Sequence, residues 1–269
     1  PMSCENNAYT MKGLCYTSDG TDYTELVRQE LGLPENNGET PVRLDKEKAE
    51  QYKQQAMEEL TALGVTFPVE IDYYIQGSNQ NMLDSANVLK QTFSDCLGDD
   101  FVKLNILTYV QSSTQEVYNA KKHSMVVNGW GADYGDPQNY MSQEVMGNDN
   151  AFYSRQYSYI DDVVETEATK NLLDTYKEFT RLVDEASAIN DDLDARYKAF
   201  AKAEAYMIQH ALCFPHYYDV GWCLTKVNPY SKINAMYGCV NGKMKNWETN
   251  SEGYTTEEME AIAEAYHAA

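Results

Sequence analysis

Two aspartates, Asp133 and Asp136, stand three positions apart in the glycine-rich segment Trp130-Gly131-Ala132-Asp133-Tyr134-Gly135-Asp136-Pro137. Two neighbouring carboxylates can act as the acid/base pair of a hydrolase, or they can join Asn139 in holding a cation. The segment lacks the D-x-D-x-D-G spacing of calcium loops. Their short spacing on a turn with an intervening glycine instead favours a ligand anchor at one aspartate and a turn-forming role for the other.

The elements around this segment predict where it lies. It follows an apolar run, Met125-Val126-Val127, that is typical of a buried strand. Glycines then interrupt the pattern, and Pro137 disfavours helical backbone at Asp136. We therefore expect Trp130 and Asp133 on a bent loop at the carboxyl end of a strand, which is the edge where open α/β sheets bind ligands.

The preceding residues predict alternating strands and helices. Apolar and polar side chains alternate over 69–75 and 102–106, the period of a strand. Between these strands, Ser78 is expected to cap a helix that ends at Gly98, and Ser113-x-x-Glu116 reads as a capping box for a short helix. With the run before Trp130 as a third strand, the pattern predicts an α/β fold with a mixed sheet and helices on both faces.

Further helices are predicted on either side of this core. A short one near 23–31 interrupts an otherwise irregular stretch, 1–44. The others are expected at 45–63, 139–146, 161–188, from Asp191 onward, and after a Thr255-x-x-Glu258 capping box.

Composition narrows the classes of partner. The formal net charge of −21 argues against nucleic acid and anionic membrane surfaces as partners. No stretch reaches the roughly 18–20 apolar residues of a membrane span. The chain opens with Pro1 and has no basic-plus-apolar leader, so we expect a processed or excised piece of a longer protein.

Cysteine and histidine usage argues against metal sites. The six cysteines include no C-x-x-C pair, and the four histidines are not spaced with cysteine as a ligand set. We expect neither a metal nor a cofactor. An even number of cysteines permits disulfides in an exported protein, and Cys4–Cys15 is the most plausible bridge, although the sequence leaves the pairing open.

The aspartate-containing segment resembles the W-x-A-D-Y-x-D-P signature of the family 5 extracellular solute-binding proteins, which are the peptide-binding components of ABC importers. The match comprises Trp130, Ala132, Asp133, Tyr134, Asp136 and Pro137. Other segments resemble the family in the same order along the chain. They lie at 45–64, 152–154, 194–204 and 213–218.

The resemblance implies a periplasmic-binding-protein-like lobe from a two-lobed clamp that closes on a peptide. Residues 1–44 would be a lead-in, 45–220 the inserted C-terminal lobe, and 221–269 a return into an N-terminal lobe that is otherwise missing. The partners implied are an oligopeptide ligand and the permease subunits of an ABC importer. The protein would be a monomer, extracellular or periplasmic, and tethered to the membrane by a lipid anchor outside this chain.

The resemblance also implies roles for individual residues. Asp133 would pair with the α-ammonium group of the ligand, a charge-assisted contact. The same pocket would be lined by Trp130, Gly131, Ala132 and Tyr134.

This chain departs from the family pattern at two positions, which leaves the identity of the ligand open. Well-known members carry arginines that can receive the ligand carboxylate twelve and three positions before the tryptophan, where this chain has Tyr118 and Val127. Lys121, Lys122 or Arg155 could substitute, but nothing in the sequence places them. A peptide is favoured, and a non-peptide solute is the alternative within the family. Two alternatives lie outside the solute-binding proteins: a secreted hydrolase that uses the two aspartates, and a surface scaffolding protein. No G-x-S-x-G, H-E-x-x-H or P-loop motif occurs, so no enzyme activity is expected.

Overall fold

The computed structural model describes residues 3–5, 8–34, 45–219, 225–231, 244 and 247–268. Contacts divide the chain into two compact units. The first comprises Pro1–Glu35, Trp130–Ser142 and Glu178–Ala269, and the second comprises Asn36–Gly129 and Gln143–Lys177. Parts of the predicted lead-in and return segments, including 35–44, 221–224 and 232–243, lie outside the described residues.

The described residues form four strands and seven α-helices, and strands alternate with helices only from α2 to α4. The strands are β1 (Ser3–Glu5), β2 (Val69–Gln76), β3 (Val102–Tyr109) and β4 (Tyr217–Asp219). The helices are α1 (Tyr23–Glu30), α2 (Lys46–Ala62), α3 (Gln80–Leu97), α4 (Gln138–Met141), α5 (Lys170–Ser187), α6 (Leu193–Gln209) and α7 (Thr256–His267). Among the helices that are described, none combines the length and the apolar character needed to cross a membrane.

The second unit is built on a parallel strand pair. β2 and β3 pair in register from Val69 opposite Val102 to Gln76 opposite Tyr109. Helix α3 connects them and packs its apolar side against one face of the pair. The core here comprises Tyr73, Ile75, Ala86 and Leu104, with Ile71, Met82, Leu83, Leu89, Phe93, Ile106 and Met125 packed around it. The predicted α/β class is confirmed.

The predicted third strand is reduced to one bridge. Met125 pairs in parallel with Tyr73, and the backbone N–H groups of Ser124 and Met125 donate to the Asp72 carbonyl. Pairing stops there, and Val127 is 45% exposed. The prediction of a buried strand over this run is therefore wrong, since only Met125 of the run packs on the core.

Two helix starts also differ from prediction. Asn79, not Ser78, caps α3 by accepting from the Met82 N–H. Ser113 caps nothing, and Thr114–Tyr118 form a single π-helical turn. The Glu116 carboxylate instead accepts hydrogen bonds from the backbone N–H groups of Val110, Gln111 and Ser112 at 3.0, 2.7 and 2.8 Å. These three residues follow the end of β3, so their N–H groups no longer pair within the sheet.

Two helices are shorter than predicted. The helix expected over 139–146 is the single turn α4, which ends at Met141. The helix expected from 161 begins only at Lys170, because Val163 is extended and the Thr166 and Thr169 hydroxyls bond to nearby backbone. Such local bonds compete with helix formation.

Helix α6 organises the first unit. Its Phe200, Ala201, Ala203 and Met207 are fully buried, and α1 packs against it. The Glu204 carboxylate of α6, also fully buried, accepts the Thr10 N–H and hydroxyl at 2.9 and 2.6 Å and the Tyr23 hydroxyl at 2.9 Å. These bonds satisfy the oxygens of the buried carboxyl group and join the start of the chain to α6.

Cys15 of the first unit is a buried free thiol, so the expected Cys4–Cys15 bridge is wrong. The thiol bonds to Tyr197 of α6 instead, and Cys4 lies in β1, paired with Tyr218 of β4. Burial, with smaller effects from the nearby charges of Asp136 and Asp22, raises the pKa of Cys15 to about 12.

Candidate ligand-binding loop

The loop that contains the two aspartates belongs to the first unit, together with α4 and α6. The chain is irregular from Trp130 until α4 begins at Gln138. Pro137, with helical backbone angles, precedes α4, and the backbone N–H of Asn139 donates to the Asp136 carbonyl at 3.0 Å. The loop therefore turns directly into a short helix that is fixed at its first residues.

A single amide holds the first half of the loop. The Asn139 Oδ1 atom accepts the Trp130 indole N–H at 2.8 Å and the Asp133 backbone N–H at 3.0 Å. Asn139 itself is buried. Its neighbour Tyr140 donates its hydroxyl to the Trp130 carbonyl at 3.4 Å, and the Tyr9 ring packs edge-on against Tyr140. The position of Trp130 is thus set by two consecutive residues of α4.

The Asp133 side chain is exposed. Its Oδ2 atom lies 3.4 Å from the Asn139 Nδ2 atom, a long and weak hydrogen bond. Among the residues that the structure describes, no lysine, arginine or histidine forms an ion pair with Asp133. The carboxylate is oriented but keeps most of its hydrogen-bonding capacity.

Asp136 is bound on both oxygens. Arg196 of α6 donates to it through Nε at 2.9 Å and through Nη2 at 3.1 Å, a bidentate ion pair. Asp136 also accepts the backbone N–H of Gln138 at 2.9 Å, at the start of α4. The turn-forming role predicted for one of the aspartates therefore fits Asp136.

Arg196 is buried and uses its whole guanidinium group. Nη1 donates to the carbonyls of Ala186, Ser187 and Ile189, where α5 ends and its last carbonyls lack helical partners. The guanidinium carbon lies 4.9 Å from the centre of the Phe200 ring. One side chain thus connects the loop, the end of α5 and the core of α6.

These contacts weigh against two of the alternatives. An acid/base pair needs two carboxylates able to exchange protons with a substrate, but the Arg196 guanidinium and the Gln138 N–H occupy Asp136. A cation would need the Asn139 oxygen, which two N–H donors occupy. Among the described residues there is also no group of three or more His, Cys, Asp or Glu side chains arranged to hold a metal.

The structure brings Trp130 and Asp133 together through Asn139. Gly131, Ala132 and Tyr134 lie on the same loop, with Tyr134 46% exposed. A Cβ atom at Gly131 would meet nothing within 4 Å, so crowding does not require glycine there.

The second unit holds the residues considered for binding a ligand carboxylate. Tyr118 is half-buried in an aromatic cluster, edge-on to His123 and Tyr157 at 4.9 and 4.8 Å between ring centres. Two of the candidate cations already have partners on the surface, Lys121 with Asp162 and Arg155 with Asp149, and Lys122 is exposed.

Two residues important to the loop were not recognised from the sequence. Arg196 stands in the 194–204 segment that resembles the family, and a lone arginine among apolar helix positions could have indicated a buried ion pair. Asn139 was considered only as a cation ligand. Its position just after the proline of the signature is a weak signal, because no sequence rule links it to Trp130 and Asp133.

The sequence of this chain matches a protein-family model. Residues 15–152 match the model described as bacterial extracellular solute-binding proteins, family 5 middle. Curated relatives include the oligopeptide-binding protein SarA of Streptococcus gordonii, 27% identical in an alignment of length 251 that covers 86% of this chain and 36% of that protein. The oligopeptide-binding protein AmiA of Streptococcus pneumoniae is 27% identical in an alignment of length 237 that covers 82% of this chain and 34% of that protein. The chain therefore spans about a third of the length of these relatives.

Solved structures share the fold. The substrate-binding domain of an oligopeptide ABC transporter from Bacillus anthracis superimposes with a TM-score of 0.53 at 18% identity, covering 77% of this chain and 33% of that chain. A peptide-binding protein of a peptide ABC transporter gives a TM-score of 0.56 at 19% identity and covers 78% of each chain. At such identities the likeness concerns the fold.

Proposed function

Because the chain belongs to family 5 of the bacterial extracellular solute-binding proteins, we propose that it forms part of a protein that captures oligopeptides outside the cytoplasm. The captured peptide would be delivered to the permease subunits of an ABC importer. Support for a peptide ligand comes from relatives named as oligopeptide-binding proteins. The proposal for this chain rests on its own loop.

The observation that carries the proposal is the state of Asp133. Its carboxylate is exposed, and no described cation neutralises it. A peptide amino terminus is a compact cation with three N–H donors, and it can fill the acceptor capacity that Asn139 leaves open. Enclosure of the pair on ligand binding would strengthen it relative to an exposed salt bridge. Asp133 is thus the proposed ammonium anchor, and Trp130, Gly131, Ala132 and Tyr134 are the proposed lining.

The wider organisation of the protein is part of the same proposal. Residues 45–220 would form the C-terminal lobe of a two-lobed clamp, with 1–44 leading into it and 221–269 returning to an N-terminal lobe. The complete protein would act as a monomer, anchored to the membrane by a lipid. Neither catalysis nor a cofactor is part of the proposed role, because the engaged state of Asp136 disfavours the hydrolase alternative.

The test is to identify what the complete protein carries when it is purified without added ligand. Tandem mass spectrometry should find short peptides with free amino termini. Calorimetry with a tri- to pentapeptide pool, and with the same pool N-acetylated, should show tight binding only for the free amines. A co-purified non-peptide solute would overturn the peptide assignment. Equal binding of both pools would overturn the role of Asp133.

A further inference from the structure

Asn139 is the residue through which the two proposed ligand-contacting side chains are joined. Its oxygen accepts one N–H from a side chain, the Trp130 indole, and one from the main chain at Asp133. Its amino group faces the Asp133 carboxylate at 3.4 Å. Trp130 is half-buried and Asp133 is exposed, whereas Asn139 is only 4% exposed. The group that sets their geometry thus lies beneath them.

The chemistry of an amide fits this position closely. Its carbonyl oxygen has two lone pairs, which match the two N–H donors, and its amino group can donate toward a carboxylate. An apolar side chain of the same size would remove the acceptor that these two N–H groups share. A carboxylate would supply the acceptors but would place a second negative charge beside Asp133.

Asn139 is itself held on a rigid support. It lies in α4, whose start is fixed by Pro137 and by the Asp136 carboxylate in its ion pair with Arg196. Binding residues keep their geometry when the groups behind them are fixed in this way. The ion pair holds α4, and α4 presents the amide to the loop.

We propose that Asn139 is a positioning residue for ligand capture, which orients the Trp130 indole and the Asp133 carboxylate together so that the carboxylate meets the amino terminus of the ligand. This inference rests on the proposed function. It adds the claim that discrimination between a free and a blocked amino terminus depends on a buried amide that does not touch the ligand.

The test compares variants of the complete protein by their affinity for one peptide and its N-acetylated twin. Asn139→Leu removes the amide at nearly constant size. Thr10→Val is the matched control, because it removes a buried hydroxyl of the same unit that donates to Glu204 rather than to Asn139. Asn139→Leu should weaken binding of the free peptide about 10-fold, the equivalent of one lost hydrogen bond, and should shrink the penalty for acetylation. Thr10→Val should lower stability but keep the full penalty.

The outcomes separate the two proposals. A wild type that binds both peptides equally overturns the proposed function. A wild type that discriminates, together with an Asn139→Leu variant that discriminates just as strongly, overturns the positioning role alone.

A readout without ligand protects the test against misfolding of the leucine variant. In the wild-type 269-residue chain, hydrogen exchange of the Trp130 indole N–H and the Asp133 amide should be slow compared with that of the exposed Tyr134 amide. Asn139→Asp keeps the acceptor oxygen and should preserve this protection, whereas Asn139→Leu should abolish it. Wild-type exchange as fast as at Tyr134 would overturn the positioning role.

Discussion

The two aspartates of one loop differ in what surrounds them. Asp136 is four-fifths buried at its side chain and is bound on both oxygens by Arg196. Asp133, three positions earlier, is exposed, and within the described part of the chain its carboxylate hydrogen-bonds only to the Asn139 amide. A buried guanidinium without a counter-charge is costly, so the fold requires Asp136. Since no comparable need explains Asp133, the contrast separates a structural acid from one available to a ligand.

Removing the charge of Asp136 gives the largest expected effect. Asp136→Asn leaves the Arg196 guanidinium buried without its counter-charge and should lower the free energy of unfolding by about 3 kcal/mol. This is the low end for a broken buried pair, because the Asp136 side chain is 20% exposed. Urea denaturation of the 269-residue chain measures the loss.

The matched control is Asp133→Asn in the same loop, which should change stability by no more than about 0.5 kcal/mol. Combining Asp136→Asn with Arg196→Met should restore part of the lost stability, since no unpaired charge then remains buried. Equal destabilisation by the two aspartate variants would contradict the distinction between them.

The next largest effect is on ligand binding, for which Asp133 rather than Asp136 is expected to be the more important aspartate. In the complete protein, Asp133→Asn should cost about 1.5–3 kcal/mol of binding energy, or roughly 10- to 150-fold in Kd, by removing a hydrogen bond to a charged group. N-acetylation of the peptide should cost the wild type a similar amount, and should cost the variant little more. Full additivity of the two changes, measured by calorimetry, would mean that the groups do not meet.

Glu144 is in a third situation, different from that of either aspartate. Its carboxyl group is buried, and among the described residues no donor hydrogen-bonds to it. Burial raises its pKa to about 8 from a usual value of 4.5. Between these values the folded state binds more protons than the unfolded state, so stability falls as the pH rises from 4.5 through 8. The slope from this group reaches at most about 1.4 kcal/mol per pH unit.

Glu144→Gln should remove that slope, measured by urea denaturation at several pH values between 5 and 8. The exposed Glu167→Gln variant is the control and should leave the slope unchanged. If stability of the wild type and Glu144→Gln changes in parallel with pH, burial does not govern the titration of Glu144.

The smallest effect is expected for the 269-residue chain by itself. It spans about a third of the length of its relatives, and the proposed clamp would derive much of its affinity from enclosing the ligand. Calorimetry with a tri- to pentapeptide pool should therefore detect no tight site, with or without Asp133→Asn. Submicromolar binding would show that the loop and its surroundings suffice.

Local patterns in the sequence account for much of the fold. The alternation in β2 and β3 and the Thr255 capping box of α7 were each predicted from a few neighbouring residues. The prediction of a third strand was wrong because its burial depends on what covers Val127. The prediction of a capping box at Ser113 was wrong because the Glu116 side chain binds the N–H groups at the end of β3 instead.

The candidate loop likewise has features that the local sequence predicts and features that it does not. Glycine, proline and the family signature indicated a bent loop that bears Trp130 and Asp133. The partners that shape it could not be found locally, because Arg196 lies 60 positions from Asp136 and joins it only after α6 has packed. The Cys4–Cys15 bridge failed for a related reason, since sequence proximity does not bring two thiols into contact.

The long separation between Asp136 and Arg196 has a consequence for how the protein matures. During synthesis from the amino terminus, the loop leaves the ribosome well before α6 does, and closing such a distance carries an entropic cost that local turns avoid. Until α6 arrives, Asp136 lacks its ion pair with Arg196, and the start of α4 is held by local hydrogen bonds. We therefore expect the geometry around Asp133 to be completed only once α6 has packed, which makes it one of the later features of the loop to form.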